Sequence, residues 1–117
     1  MQLTLVTGPM FAGKTSFLME QIKQHQHHNS IIVTHSSDTR FSKDDTLVNH
    51  DGKSIQTKIY RVDSLKELPS IDKDKETFIG IDEAQFFPDI ISYIYNFKKN
   101  KFNKLTISVC GLSGDFQ

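Results

Sequence analysis

The sequence predicts an α/β fold with a mostly parallel sheet, and three observations carry that prediction. Short apolar, β-rich runs recur along the chain: Leu3-Thr4-Leu5-Val6, Ile31-Ile32-Val33-Thr34, Phe78-Ile79-Gly80-Ile81 and Leu105 to Val109. Between them lie segments whose apolar residues follow helical spacing, and strand and helix in alternation build a parallel sheet covered by helices. A glycine-bearing turn, Gly8-Pro9, ends the first run and leads into the first helical segment. The 117 residues fit one domain, enough to bury roughly two-thirds of the unfolded chain's surface.

Taken in order, Leu3 to Val6 reads as a short buried strand. Lys14 to about Gln26 holds neither Pro nor Gly, and Phe17, Leu18 and Ile22 share one helical face. Ile31 to Thr34 is a second buried strand. His35 to Gly52 is polar and charged with little periodicity, and reads as a long loop of the kind that is usually functional or mobile. Ile55 to Val62 alternates as an edge strand would. Ser64-Leu65-Lys66-Glu67 has the spacing of a capping box and starts a short helix. Asp72 to Glu76 is a charged connector. Phe78 to Ile81 is an apolar strand that ends in Asp82. Pro88-Asp89 suits a helix start, with Ile90, Ile91, Ile94 and Phe97 as its apolar face. Leu105 to Val109 is the last strand, closed by Gly111-Leu112-Ser113-Gly114.

Charge and cysteine content narrow the function classes. Lys+Arg 14 and Asp+Glu 14 cancel, so no net field argues for a nucleic-acid or membrane partner. The single cysteine, Cys110, cannot form an internal disulfide or a structural zinc site alone. No apolar run approaches the ~20 residues of a membrane span, and the N-terminus has no secretory pattern. A soluble, cytoplasmic protein is expected.

Two motifs carry chemistry. Gly8-Pro9-Met10-Phe11-Ala12-Gly13-Lys14-Thr15 fits G-x-x-x-x-G-K-[ST] at every constrained position, between an expected strand and an expected helix. Glycines at both ends let backbone N–H groups wrap a phosphate, and the helix start adds its positive dipole end. Lys14 then neutralises the β- and γ-phosphates, and the Thr15 hydroxyl is placed to ligate Mg²⁺. The second motif is Asp82-Glu83 at the carboxyl end of a strand, where such sheets bind ligands. Asp82 suits the Mg²⁺ shell, and Glu83 beside it suits a general base that takes a proton from an attacking oxygen.

With these two motifs, Asp38-Thr39-Arg40-Phe41-Ser42, His50-Asp51-Gly52, Ile79 to Phe87 and Gly114-Asp115-Phe116-Gln117 make the chain resemble the thymidine kinase family. The resemblance is to the cytosolic, bacterial and poxviral type and runs from about Gln2 to the last residue. It implies a three-layer P-loop NTPase fold of RecA-like type, with helices on both faces of the sheet. It also implies transfer of the γ-phosphoryl of ATP to the 5′-hydroxyl of thymidine. By that similarity Glu83 is the base, Asp82 and Thr15 hold Mg²⁺, and Arg40 reaches the transferring phosphoryl with Asp38 nearby. Met10, Phe86, Leu112 and Phe116 lie about thymine, and Ala84 and Gln85 belong to the nucleotide-contacting turn. A homo-oligomer, up to a tetramer, is expected from the same resemblance.

Read without it, Phe86 and Phe87 equally fit core aromatics, and Arg40 a solvated loop charge. The run Gln24-His25-Gln26-His27-His28 fits a helix C-terminus better than a metal site. His50 matches a family position without a role to assign. The chain departs from the family's Leu-Asp-x-x-Phe pattern, having Leu112-Ser113-Gly114-Asp115-Phe116. Family members carry a further helix, a four-cysteine zinc ribbon and a lasso loop over the base; these are not expected of this sequence, nor is zinc. Two alternatives stay open: an ATP-binding or ATPase module without nucleoside specificity, and an inactive remnant of a kinase.

Overall fold

Apolar side chains on alternate residues of a strand can be buried on both sides only if both faces of the sheet are covered. The computed structural model meets that condition with five parallel strands and two helices. It describes residues 2–6, 14–25, 29–36, 46–48, 52 and 54–111. The elements are β1 (Gln2–Val6), α1 (Lys14–Gln24), β2 (Asn29–His35), β3 (Thr46–Val48), β4 (Ser54–Gln56), β5 (Lys58–Val62), β6 (Thr77–Ile81), α2 (Ile90–Lys99) and β7 (Leu105–Cys110). The main sheet has the order β1-β7-β6-β2-β5, and every pairing in it is parallel.

The two faces divide residue by residue. Val33, Ile79, Ile81, Ile107 and Val109 join Ile90 and Phe97 of α2 in one cluster. Their neighbours Ile32, Phe78 and Cys110 join Leu18, Met19 and Ile22 of α1 in the other. One helix therefore covers each face, as the alternation of strand and helix predicts.

Several local expectations hold for identifiable reasons. Ser64 caps a single 3₁₀ turn, Leu65–Glu67. The Ser64 hydroxyl accepts from Lys66 N–H at 3.3 Å, and the Glu67 carboxylate accepts from Ser64 N–H at 2.9 Å. β5 lies at the sheet edge. His25 closes α1 as a C-terminal group: its Nδ1 lies 2.7 Å from the Gln21 carbonyl, and its ring stacks on Phe78.

Three expectations need correction. The stretch from His35 to Gly52 contains β3, which pairs antiparallel with β4 in a separate two-stranded sheet. The apparent strand Ile55 to Val62 is therefore two strands, broken at Thr57 where the chain passes from the small sheet to the large one. Ile91 does not belong to the buried face of α2; it is 66 % exposed. Ile90 and Phe97 are buried and Tyr93 and Ile94 pack against them. This is the i, i+3, i+4, i+7 stripe that a 3.6-residue repeat presents to one side.

Candidate active site

The site begins with a close approach between a helix and a strand. A Cβ built on Gly80 of β6 would lie 2.8 Å from Ile32 Cδ1 and 3.0 Å from Leu18 Cδ2, so the missing side chain lets α1 sit directly on the sheet. Leu18 lies against Gly80 and, further along α1, His25 lies against Phe78. The helix thus runs antiparallel to β6, and its first turn, starting at Lys14, points past Gly80 toward the carboxyl end of the strand. The positive end of the helix dipole and the first-turn N–H groups, which have no partner within the helix, face the same edge as Asp82.

Asp82 is only 2 % exposed. Its N–H extends the ladder to the Val33 carbonyl at 2.8 Å. Carrying the alternation of Gly80 and Ile81 one residue further aims its side chain to the α1 face. Its Oδ1 accepts from Glu83 N–H at 2.9 Å, so the two acids are locked to each other through the backbone.

Glu83 occupies the left-handed region, φ 55 and ψ 43, where a side chain costs about 1–2 kcal/mol. It turns the chain from the strand into a 3₁₀ turn, Ala84–Phe86, closed by Phe86 N–H on the Glu83 carbonyl and Phe87 N–H on the Ala84 carbonyl. Ala84 and Phe87 anchor that turn in the α2-face core. Gln85 reaches back, donating from Nε2 to Glu83 Oε2 at 2.7 Å. The carboxylate is held from three sides: by the strained backbone, by the anchored turn and by a charge-assisted hydrogen bond.

The adjacent aromatics separate. Phe87 is 1 % exposed and belongs to the core, whereas Phe86 is 47 % exposed. Phe86 lies 5.3 Å from the His35 ring, at the end of β2. An open aromatic surface therefore stands beside the two acids.

Of the residues expected at the site, Asp82, Glu83, Ala84, Gln85 and Phe86 come together at the carboxyl end of β6. Lys14 and Thr15 open α1, and only their backbone is described. Gly8, Pro9, Met10, Phe11, Ala12, Gly13, Asp38, Arg40, His50, Leu112, Asp115 and Phe116 lie outside the described residues. The motifs alone do not single out Gly80 or His35, which the structure places against α1 and against Phe86. For Gly80 the available signal is a glycine inside an apolar strand, a mark of close backbone approach.

Oxygen donors at a buried strand end suit a small hard cation. Among the described residues no group of three or more His, Cys, Asp or Glu could hold a metal ion by itself. Mg²⁺ is usually held by one or two protein oxygens with substrate phosphates and waters completing the shell, and Asp82 supplies such an oxygen at the strand end. Also among the described residues, no helix is long and apolar enough to cross a membrane.

Comparison with known proteins agrees with this arrangement. The family model for thymidine kinase matches residues 1–117. A thymidine kinase of Choristoneura fumiferana entomopoxvirus is 38 % identical over 124 aligned residues, spanning 99 % of this chain and 63 % of that protein. The thymidine kinase of Fowlpox virus is 36 % identical, over 97 % of this chain and 62 % of its own length. The cytosolic thymidine kinase of Bos taurus is 30 % identical, over 99 % of this chain and 46 % of its own length. The chain thus spans less than two thirds of these relatives. A match that runs the whole chain, over an acid pair, its supporting turn and the helix aimed at them, has one family consequence: the chain belongs to the thymidine kinase family.

Proposed function

We propose that the chain catalyses ATP-dependent phosphorylation of thymidine, on a P-loop fold of RecA-like type formed as one kinase domain. The observation that carries this reading is the Asp82-Glu83 pair. It is clamped at the carboxyl end of the central strand β6 and faced by the first turn of α1. The loop Gly8 to Gly13 cradles the triphosphate, and Lys14 neutralises its β- and γ-phosphates. Asp82 and Thr15 would hold Mg²⁺, which supplies neutralisation of phosphate charge when bound.

The Glu83 carboxylate takes the proton of the thymidine 5′-hydroxyl while that oxygen attacks the γ-phosphorus. A new P–O ester bond forms, the bond to the β,γ-bridging oxygen breaks, and ADP leaves with the electron pair. Gln85 keeps the Glu83 carboxylate pointed at the acceptor, and Arg40 stabilises the charge on the moving phosphoryl group. Thymine lies against Met10, Phe86, Leu112 and Phe116. The exposed Phe86 ring beside the acids supports that placement, because a flat base needs an apolar surface and few polar anchors.

The test is to incubate the chain with ATP, Mg²⁺ and labelled thymidine, and to follow thymidine monophosphate and free phosphate together. Thymidine-dependent transfer that disappears in Glu83→Gln supports the kinase. Phosphate release indifferent to thymidine points instead to an ATPase module.

A further inference from the structure

The two aromatic rings that follow the acid pair differ in what holds them, and His35 touches both. Phe87 is sealed in the core, while Phe86, one residue earlier, is half exposed. β2 and β6 pair as far as Val33 and Ile81. Beyond that point the chain leaves β6 through the left-handed turn at Glu83. β2 continues to His35, and the rings of Phe86 and Phe87 lie beside it. The His35 ring centroid is 5.3 Å from that of Phe86, with the rings tilted by 38°. It is 5.5 Å from that of Phe87, edge-on at 61°. The imidazole thus bridges a fixed ring to an open one.

The strand end behind that bridge is firmly tied. His35 pairs with Val62 of β5, and the next N–H, that of Ser36, bonds to the Val62 carbonyl at 3.0 Å. The Ser36 hydroxyl donates to the Asp63 carboxylate, a second tie between the same strand ends. The backbone of Phe86 is fixed by its N–H bond to the Glu83 carbonyl, which leaves the ring's own rotamer to be set by what the ring touches. A half-exposed ring without such a contact turns between rotamers, and ordering it when a ligand arrives subtracts from affinity. A ring already packed on an imidazole presents its open side without that loss. The same 3₁₀ turn joins Phe86 to Glu83, so the open side stands next to the acids.

We propose that His35 is a positioning residue for the nucleoside: it holds the Phe86 ring in the orientation that receives the planar base. The inference rests on the reading that places thymine against Phe86. His35 touches no reacting atom in this role and acts through Phe86. Its weight therefore falls on the affinity for the nucleoside, and much less on the triphosphate or on the proton transfer at Glu83. Holding a flat ring needs another ring face rather than an imidazole in particular, so a second aromatic side chain at position 35 serves as well.

Steady-state kinetics of the whole chain, with thymidine and ATP varied in turn, test this in the unsubstituted chain, His35→Ala, His35→Phe, Phe86→Ala and the double variant His35→Ala/Phe86→Ala. His35→Ala is expected to raise the KM for thymidine ~2- to 10-fold, the usual worth of an aromatic pair, with smaller changes in kcat and in the KM for ATP. His35→Phe restores the thymidine KM, because a ring face is kept. On the Phe86→Ala background His35→Ala adds nothing further, because no ring remains to be held. An unchanged thymidine KM in His35→Ala, a parallel rise for both substrates, no recovery in His35→Phe, or a full further rise on the Phe86→Ala background overturns the proposal. Should His35→Ala prove unfolded by circular dichroism, His35→Gln, which keeps the bulk without the ring, is judged by the same criteria. The two readings fail separately. An unsubstituted chain without thymidine-dependent turnover overturns the kinase and this role with it. A thymidine KM unmoved by Phe86→Ala removes the base from Phe86, and His35 loses its role too. A KM raised by Phe86→Ala and unmoved by His35→Ala counts against His35 alone.

Discussion

The two faces of the sheet are made from the same strands and differ in composition toward the carboxyl ends. On the α2 side stand Val33, Ile79, Ile81, Ile107 and Val109, all apolar and all buried. On the α1 side, one residue out of step, Ile32 and Phe78 pack under the helix, and beyond them stand Thr34, Gly80, Ser108 and Cys110, with Asp82 at the end of the row. Alternation lets one strand serve two purposes: large side chains on both faces supply burial energy, while toward the carboxyl end small and polar ones on the α1 face leave room for a helix N-terminus and a charged ligand. The α2 side carries the fold alone, and the carboxyl end of the α1 side carries the chemistry as well. If that division is real, substitutions on the two sides should fail in different assays.

The largest separation is expected at the acids. Glu83→Gln keeps the backbone, the size and a hydrogen-bonding partner for Gln85, and removes only the base. Turnover with thymidine should fall by ~10²- to 10⁴-fold, with the thermal midpoint within a degree or two of the unsubstituted chain. Ile107→Ala is the converse. The side chain is fully buried on the α2 face, and its loss should cost about 2–5 kcal/mol of stability. The protein that stays folded should keep its KM for ATP and thymidine, measured well below the lowered midpoint. A large drop in intrinsic turnover for Ile107→Ala would break the comparison.

How far this division is legible in the sequence varies by element. The run Phe78-Ile79-Gly80-Ile81-Asp82 announces a buried strand ending in an acid, because its composition and its Gly have no other economical reading. The capping box at Ser64 is equally plain, since two side chains satisfy two backbone donors at a fixed spacing. The small β3–β4 sheet is not legible: a three-residue strand has no period to detect, and β4 and β5 alternate as one run. Ile90 and Ile91 are equivalent in composition, and only packing buries the first and exposes the second. Phe86 and Phe87 are likewise distinguished only by the 3₁₀ turn, whose left-handed start at Glu83 no glycine signals.

Gly80 tests the contact between the two functions. In Gly80→Ala the new methyl meets Ile32 and Leu18 at 2.8 and 3.0 Å, and both side chains are fully buried, so neither has room to yield. A loss of about 1–2 kcal/mol is expected. The affinity for ATP should fall too, because the displaced part is the helix whose first turn faces the site. A loss of stability with unchanged ATP affinity would show that α1 contributes packing only.

A smaller effect belongs to the α2 side. The Tyr93 hydroxyl is buried without a hydrogen-bond partner among the described residues. Burial first, and then the Asp89 carboxylate, push its pKa up to about 12. The folded chain thus keeps a proton that the unfolded chain releases near pH 10. The stability linked to it is complete below that pH and is lost as the pH rises toward 12. Tyr93→Phe should flatten that alkaline decline in a denaturant series and shift stability at pH 7 by no more than about 1 kcal/mol, with turnover unaffected.

The finest test compares two residues with the same backbone problem in the two regions. Glu83 and Lys101 are the non-glycine residues with positive φ among those described, at 55 and 57. Lys101 follows α2, its N–H bonding to the Lys98 carbonyl, at a position where helices usually employ glycine. Glycine at either site should relieve roughly 1 kcal/mol of strain, partly offset by the freedom glycine gains in the unfolded chain. Lys101→Gly should therefore be neutral to slightly stabilising, with full activity. Glu83→Gly should be at least as stable and inactive. Stability and activity moving in opposite directions at Glu83, and independently at Lys101, would identify the strain at Glu83 as retained for the position of its carboxylate. If Glu83→Gly instead destabilises the chain, the hydrogen bond from Gln85 supports the fold more than the turn strains it, and the acid pair belongs to both functions at once.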